Sequence, residues 1–201
     1  MSVCLQKKSF GNHSAAWVAW GKTVQKKKID QAILCHLERL LKQAPKEYIV
    51  ETEFRQKLEK TLLYPTDDVL LYRDQFEALM QTALQTSKEV YLLSEGYDET
   101  FENGELFVLT DLHDYEAYAK LNIRTLNVMF APSDDWIMLI EESLEGGIAV
   151  LAGTKRFIDQ FRTFYGKGES DLRDYVEFCI REHLTHNVPL TQLTQILKML
   201  Y

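Results

Sequence analysis

Five short apolar runs between residues 89 and 153 limit what this 201-residue chain can fold into more than any other feature. "EVYLLSE", "GELFVLTD", "TLNVMFAP", "WIMLIEE" and "GGIAVLAG" are rich in β-formers and bounded by Gly, Pro, Asp or Ser, the pattern of strands cut by turns. The last three read as a meander, with turns at Pro132 to Asp135 and at Glu145, Gly146 and Gly147. Because "FVL", "VMF", "WIMLI" and "IAVL" are apolar without alternation, helices are expected on both faces of the sheet. The expected fold class is therefore α+β with an α/β-like layering. It comprises an about five-stranded mixed sheet covered by helices, with helical N-terminal and C-terminal segments.

The helices follow from apolar spacing near 3.6 residues. Ile29, Ile33, Leu37, Leu40 and Leu41 share one face of a helix expected from about Lys28 to Gln43. Phe54, Leu58 and Leu62 recur every four residues, which predicts a second helix capped by Thr52 and ended by Pro65. A third is expected to about Thr86, capped by Thr66, Asp67 and Asp68 and lined by Val69, Tyr72, Phe76, Leu79, Met80 and Ala83. "LHDYEAYAKLNIR" holds a short helix. "TKRFIDQFRTFYG" holds a strong one that ends at Gly166. Two more, about Ser170 to Leu184 and Thr191 to Leu200, are separated by the break at Asn187 and Pro189. Three parts result: a basic helical segment 1–65, a core 66–168, and C-terminal helices 169–201 packed on that core.

Charge is divided along the chain. Residues 1–60 hold 12 Lys or Arg against 6 Asp or Glu, whereas residues 61–201 hold 11 against 24, within a net charge of -7. A basic end on an acidic body suits nucleic-acid contact, with Lys22, Lys26, Lys27 and Lys28 as the surface; solvated faces, or docking of the two halves on each other, are the plainer reading. Cys4, Cys35 and Cys179 are odd in number and widely spaced, which gives no disulfide framework and no metal clip. No run reaches the roughly 18 apolar residues of a membrane span. A reduced, cytoplasmic protein without a membrane span is the expectation.

The candidate chemistry is sparse. Asp98, Glu99 and Glu102 follow the first strand, and Asp134 and Asp135, beside Trp136, follow the third. If those two strands run parallel, both loops leave one sheet edge, where open α/β sheets bind ligands, and their oxygens suit Mg or Ca. Solvated turns are the plainer reading of the same residues. His183 and His186, three apart with Glu182 alongside, have a spacing that suits Zn. Cys35 and His36 are adjacent and point apart on a helix, and Cys179 shares an apolar face with Val176 and Ile180. No Gly-x-Ser-x-Gly elbow, phosphate loop or dinucleotide fingerprint occurs, so no cofactor is expected.

The stretch "TLNVMFAPSDDWIMLIEESLEGGIAVLAGTKRFIDQFRTFY" and the order of elements before it resemble a phospholipase D-like half-domain over about residues 69–165. The likeness is greatest to its non-catalytic forms, the DICT sensory domain and the effector domains of TrmB-type regulators. None of His13, His36, His113, His183 or His186 has Lys two residues on, so the family's His-x-Lys chemistry has no residue to carry it. The resemblance implies a sensor, adaptor or regulatory role that binds a small molecule or protein. A nucleic-acid-associated regulator and a small metal-dependent enzyme are the alternatives, and the oligomeric state stays open, a homodimer included.

Overall fold

A computed structural model describes residues 24–44, 47–50, 58–95, 101–121, 123, 126–133, 135–143, 146–167 and 170–200. All five expected strands are present as β5 (Val90–Ser94), β6 (Glu105–Leu109), β7 (Leu126–Phe130), β8 (Trp136–Ser143) and β9 (Gly146–Gly153). Two more join them, β1 (Gln25–Lys27) and β4 (Glu59–Thr66). The seven lie in the order β1-β6-β5-β7-β8-β9-β4. Every neighbouring pair is antiparallel. The sheet is thus larger than the expected five strands, and antiparallel rather than mixed. A separate hairpin pairs β2 (Leu41–Ala44) with β3 (Glu47–Val50).

The second expected helix is overturned where it can be seen. Glu59 to Thr66 is extended and pairs with β9, Thr61 opposite Leu151 and Leu63 opposite Ala149. Leu62 is buried on one face of the sheet and Leu63 on the other. A strand buried on both sides has no period-2 signature, and its apolar run is indistinguishable from part of a helix face. The proposed boundary at residue 65 therefore falls inside a strand of the central sheet. Thr52 and Phe54 lie outside the described residues.

The remaining helices are α1 (Gln31–Leu40), α2 (Arg73–Ala83), α3 (Tyr115–Tyr118, after a 3-10 turn at Leu112–Asp114), α4 (Lys155–Tyr165), α5 (Ser170–His186) and α6 (Thr191–Leu200). Asp30 caps α1, its Oδ1 accepting from the Ile33 amide at 2.9 Å. Leu41, expected on that helix, is extended and opens β2. α2 begins later than Thr66 to Asp68 suggested: those residues end β4 and form a bridge from Asp67 to Leu70. The Tyr72 amide then donates to Gln75 Oε1 at 2.9 Å. Gly166 closes α4 at φ 75°, where a side chain would be strained.

Successive strand residues alternate between two covered faces. On one, Leu92, Met129, Trp136, Met138 and Leu151 pack beneath α2 and α4 through Phe76, Leu79, Phe157 and Phe161. The other has two covers: α1 lies over Leu93, Val128 and Ile137, while α5 and α6 lie over Leu62, Ile148 and Val150 through Tyr175, Phe178, Leu193 and Ile196. Gly147 sits where β9 meets the bulged end of β4. A Cβ there would stand 1.4 Å from the Asp68 carbonyl oxygen, so only glycine fits.

Tyr118 is fully buried, and its hydroxyl accepts from the Leu71 amide at 2.7 Å. Burial lifts the Tyr118 phenol above its ordinary range, and burial followed by the Asp171 hydrogen bond does the same for Tyr165. A phenol with a raised folded-state pKa stabilises the fold fully below its unfolded value and loses that contribution as pH rises above it. The unfolding midpoint in urea is therefore expected to fall progressively above about pH 10, at up to ~1.4 kcal/mol per pH unit for Tyr118. Tyr118→Phe should flatten that decline, which urea titrations at alkaline pH will show.

Candidate functional site

α5 is built to face two ways. Asp171, Tyr175 and Phe178 recur at helical spacing and are buried. Tyr64 of β4 meets Tyr175 edge-on at 5.2 Å between centroids and stacks on Phe178 at 5.8 Å. The start of the helix is fixed by Asp171, which is 2% exposed. Its Oδ2 accepts from the Tyr165 hydroxyl at 2.6 Å and from the Tyr64 amide at 3.0 Å. Gln75 Nε2 reaches the same tyrosine at 3.4 Å and donates to the Pro65 carbonyl at 2.7 Å. One carboxylate thereby ties β4, α2, α4 and α5 together. The Tyr64 amide and the Lys60 carbonyl, which accepts from Arg162 at 3.5 Å, are thus occupied by helix side chains along β4, which protects a strand at the sheet's edge.

The far end of α5 is also defined. Asn187 adopts φ 55° just past the helix, and its amide donates to the His183 carbonyl at 3.0 Å. His183 Nδ1 lies 2.9 Å from the Val188 carbonyl oxygen. Held at both ends, α5 turns Arg173, Glu177, Ile180 and Leu184 outward. At about 100° per residue Ile180 and Leu184 lie opposite Tyr175 and Phe178. Ile180 is 45% exposed and Leu184 78%. Ile180 thus stands on the outer face, apart from Val176 and Cys179, with which it was expected to share an apolar face and which pack beside Tyr175 and Phe178. Cys179 is half-buried, and burial raises its thiol pKa.

The acidic loops do not share an edge. β5 and β7 are antiparallel, Tyr91 opposite Phe130 and Ser94 opposite Asn127. The turn before β6 that carries Glu102 and the turn before β8 that carries Asp135 consequently leave opposite ends of the sheet, and the parallel arrangement that would have joined them is not formed. Glu102 is exposed. The Asp135 carbonyl accepts from Thr154, the N-cap of α4, at 2.8 Å. Asp98, Glu99 and Asp134 lie outside the described residues. Trp136 is fully buried and stacks on Phe157 at 5.2 Å. Its Nε1 and Ser133 Oγ are both buried without a hydrogen-bond partner among the described residues.

The basic residues are partly engaged. Lys26 pairs with Glu105. Lys27 donates to the Tyr91 hydroxyl at 3.3 Å and sits 5.1 Å from its ring, and that hydrogen bond first of all holds its ammonium above the usual range. The Tyr91 hydroxyl in turn donates to Glu89. Lys28 is exposed, and Lys22 is outside the described residues. Lysines suit β1 because it is an edge strand.

Among the described residues no group of three or more His, Cys, Asp or Glu is placed to hold a metal. His186 Nε2 is 3.9 Å from Glu182, while His183 turns to the helix end. His36 is buried between the Ala131 carbonyl at 3.1 Å from Nε2 and Arg39 at 2.8 Å from Nδ1. Cys35 beside it is exposed. Asp171, Gln75 and Leu184 were missed from sequence. Only Leu184 carried a signal, since on the α5 wheel it falls opposite the apolar side set by Tyr175 and Phe178.

No helix among the described residues is long and apolar enough to cross a membrane. Comparison with known proteins finds no family model, no curated protein and no solved structure that matches this chain.

Proposed function

We propose that this chain is a non-catalytic binding protein of the adaptor or sensor type, which engages a protein partner through the outward face of α5. The observation that carries this reading is the exposure of Leu184 and Ile180, one helical turn apart on the side turned away from the core. Burying such a side chain is worth about 1.5–3 kcal/mol, and a polar residue would serve the fold equally well at those positions. The resemblance to non-catalytic phospholipase D-like sensor domains, which lack the His-x-Lys nucleophile, points the same way.

A photo-reactive phenylalanine analogue placed at Leu184 is expected to form a discrete covalent adduct with protein in cells, while the same group at exposed Arg156 on α4 forms none. Equal labelling from both positions, or none from Leu184, contradicts the reading.

A second reading, a small polar ligand at Ser133 and Trp136, is favoured by Ser133 Oγ and Trp136 Nε1, which lack partners among the described residues. Such a ligand raises the melting temperature of the wild type and leaves Ser133→Ala unmoved; a metabolite panel without that difference counts against it.

A further inference from the structure

We infer that the partner met by the outer face of α5 is a second copy of this chain, packed antiparallel helix to helix about a two-fold axis beside Ile180. This rests on the reading of that face as a protein-docking surface and adds the identity of the occupant. The face is self-complementary in charge. Glu177 is exposed and makes no ion pair among the described residues. Arg181, one turn further along the same exposed side, lies 5.5 Å from the Phe178 ring and only 3.9 Å from Glu182.

A two-fold axis near Ile180 sets each Ile180 against its equivalent and lays each Leu184, about 6 Å along the helix, beside the stem of the partner's Glu177, about 4.5 Å along. It also brings each Glu177 to about 3 Å along the axis from the partner's Arg181, at 1.5 Å per residue. The contact is isologous: one apolar step and one ion pair, each made twice. A parallel arrangement would instead set Glu177 against Glu177 and Arg181 against Arg181. α5 has 17 residues and is about 25 Å long. A contact between two such faces lies at the small end for a specific interface, so the dimer is expected to be reversible, with a Kd of about 10–100 μM as the range to search.

Sedimentation equilibrium of the purified full chain, loaded from about 5 μM to about 1 mM to bracket that Kd, tests it. The wild type is expected to shift from monomer to dimer. Leu184→Glu weakens association at least about tenfold, and Glu177→Arg and Arg181→Glu each weaken it by about tenfold. Because both copies carry both changes, the double variant E177R/R181E restores it. All three positions are exposed, so circular dichroism melts should coincide with the wild type and exclude misfolding. A wild type that stays monomeric throughout, or one whose dimer is untouched by Leu184→Glu, overturns the inference. If the chain stays monomeric yet Leu184 gives an adduct with a different protein in cells, self-association fails while the docking surface stands. If Leu184 gives no adduct at all, the docking surface fails as well.

Discussion

Trp136→Ala is expected to lower the unfolding free energy by about 3–5 kcal/mol, the cost of emptying a large aromatic site in a packed core. Trp136 is fully buried at the first position of β8, stacked on Phe157 at an interplanar angle of 16°, and set opposite Gly153. A Cβ on Gly153 would come within 3.2 Å of the Trp136 Cβ and 3.1 Å of Phe157. The three residues therefore pack as a unit with little room to collapse around a cavity. Trp136→Phe keeps most of the stack and removes an N–H that has no partner among the described residues, so its cost should stay below about 1.5 kcal/mol. Urea titrations read both from the shift in midpoint at constant slope. Equal losses for the two variants would show that the indole N–H, rather than the ring's volume, is what the fold needs.

Asp171→Ala is expected to cost about 2–4 kcal/mol, because two buried donors lose their acceptor together. The Tyr165 hydroxyl and the Tyr64 amide both point at Oδ2, at 2.6 Å and 3.0 Å. The damage should be directional. Asp171 anchors the start of α5, so amide exchange is expected to speed up through α5 and α6 before it does in β5 to β8. Tyr165→Phe removes one of the two donors and should cost less. Exchange that accelerates uniformly across the sheet would contradict the role of this carboxylate as the tether of the C-terminal helices.

The strands β5 to β9 were legible because each is an apolar run cut off by residues that cannot continue it, and Gly166 marked the end of α4 for the same local reason. The pairing of those strands was not legible. Whether β5 and β7 run parallel or antiparallel depends on the path between them, and that choice separated Glu102 from Asp135. β1 escaped notice because three residues, two of them exposed lysines, present no apolar signal. β4 was misread because Leu58 and Leu62 keep a helical interval while Leu62 and Leu63 serve opposite faces of the sheet.

On α5 Val176, Cys179 and Ile180 suggested one apolar face; Val176 and Cys179 do pack beside Tyr175 and Phe178, whereas Ile180 turns outward. The two large aromatic side chains set the orientation of the helix. Asp171 had no distinguishing context in the sequence: an acidic residue in the first turn of a helix is ordinary, and only the approach of β4 and α4 makes it a junction.

Methyl spectra of the full chain, recorded over a dilution series spanning about 20 μM to 1 mM around the expected Kd, test the role of α5 most directly. Concentration-dependent shifts are predicted at the methyl groups of Ile180 and Leu184. Those of Leu92, Val128 and Ile137 in the sheet should stay fixed. Stationary signals from Ile180 and Leu184, or shifts shared evenly with the core, would contradict the assignment of that face as the binding surface between copies.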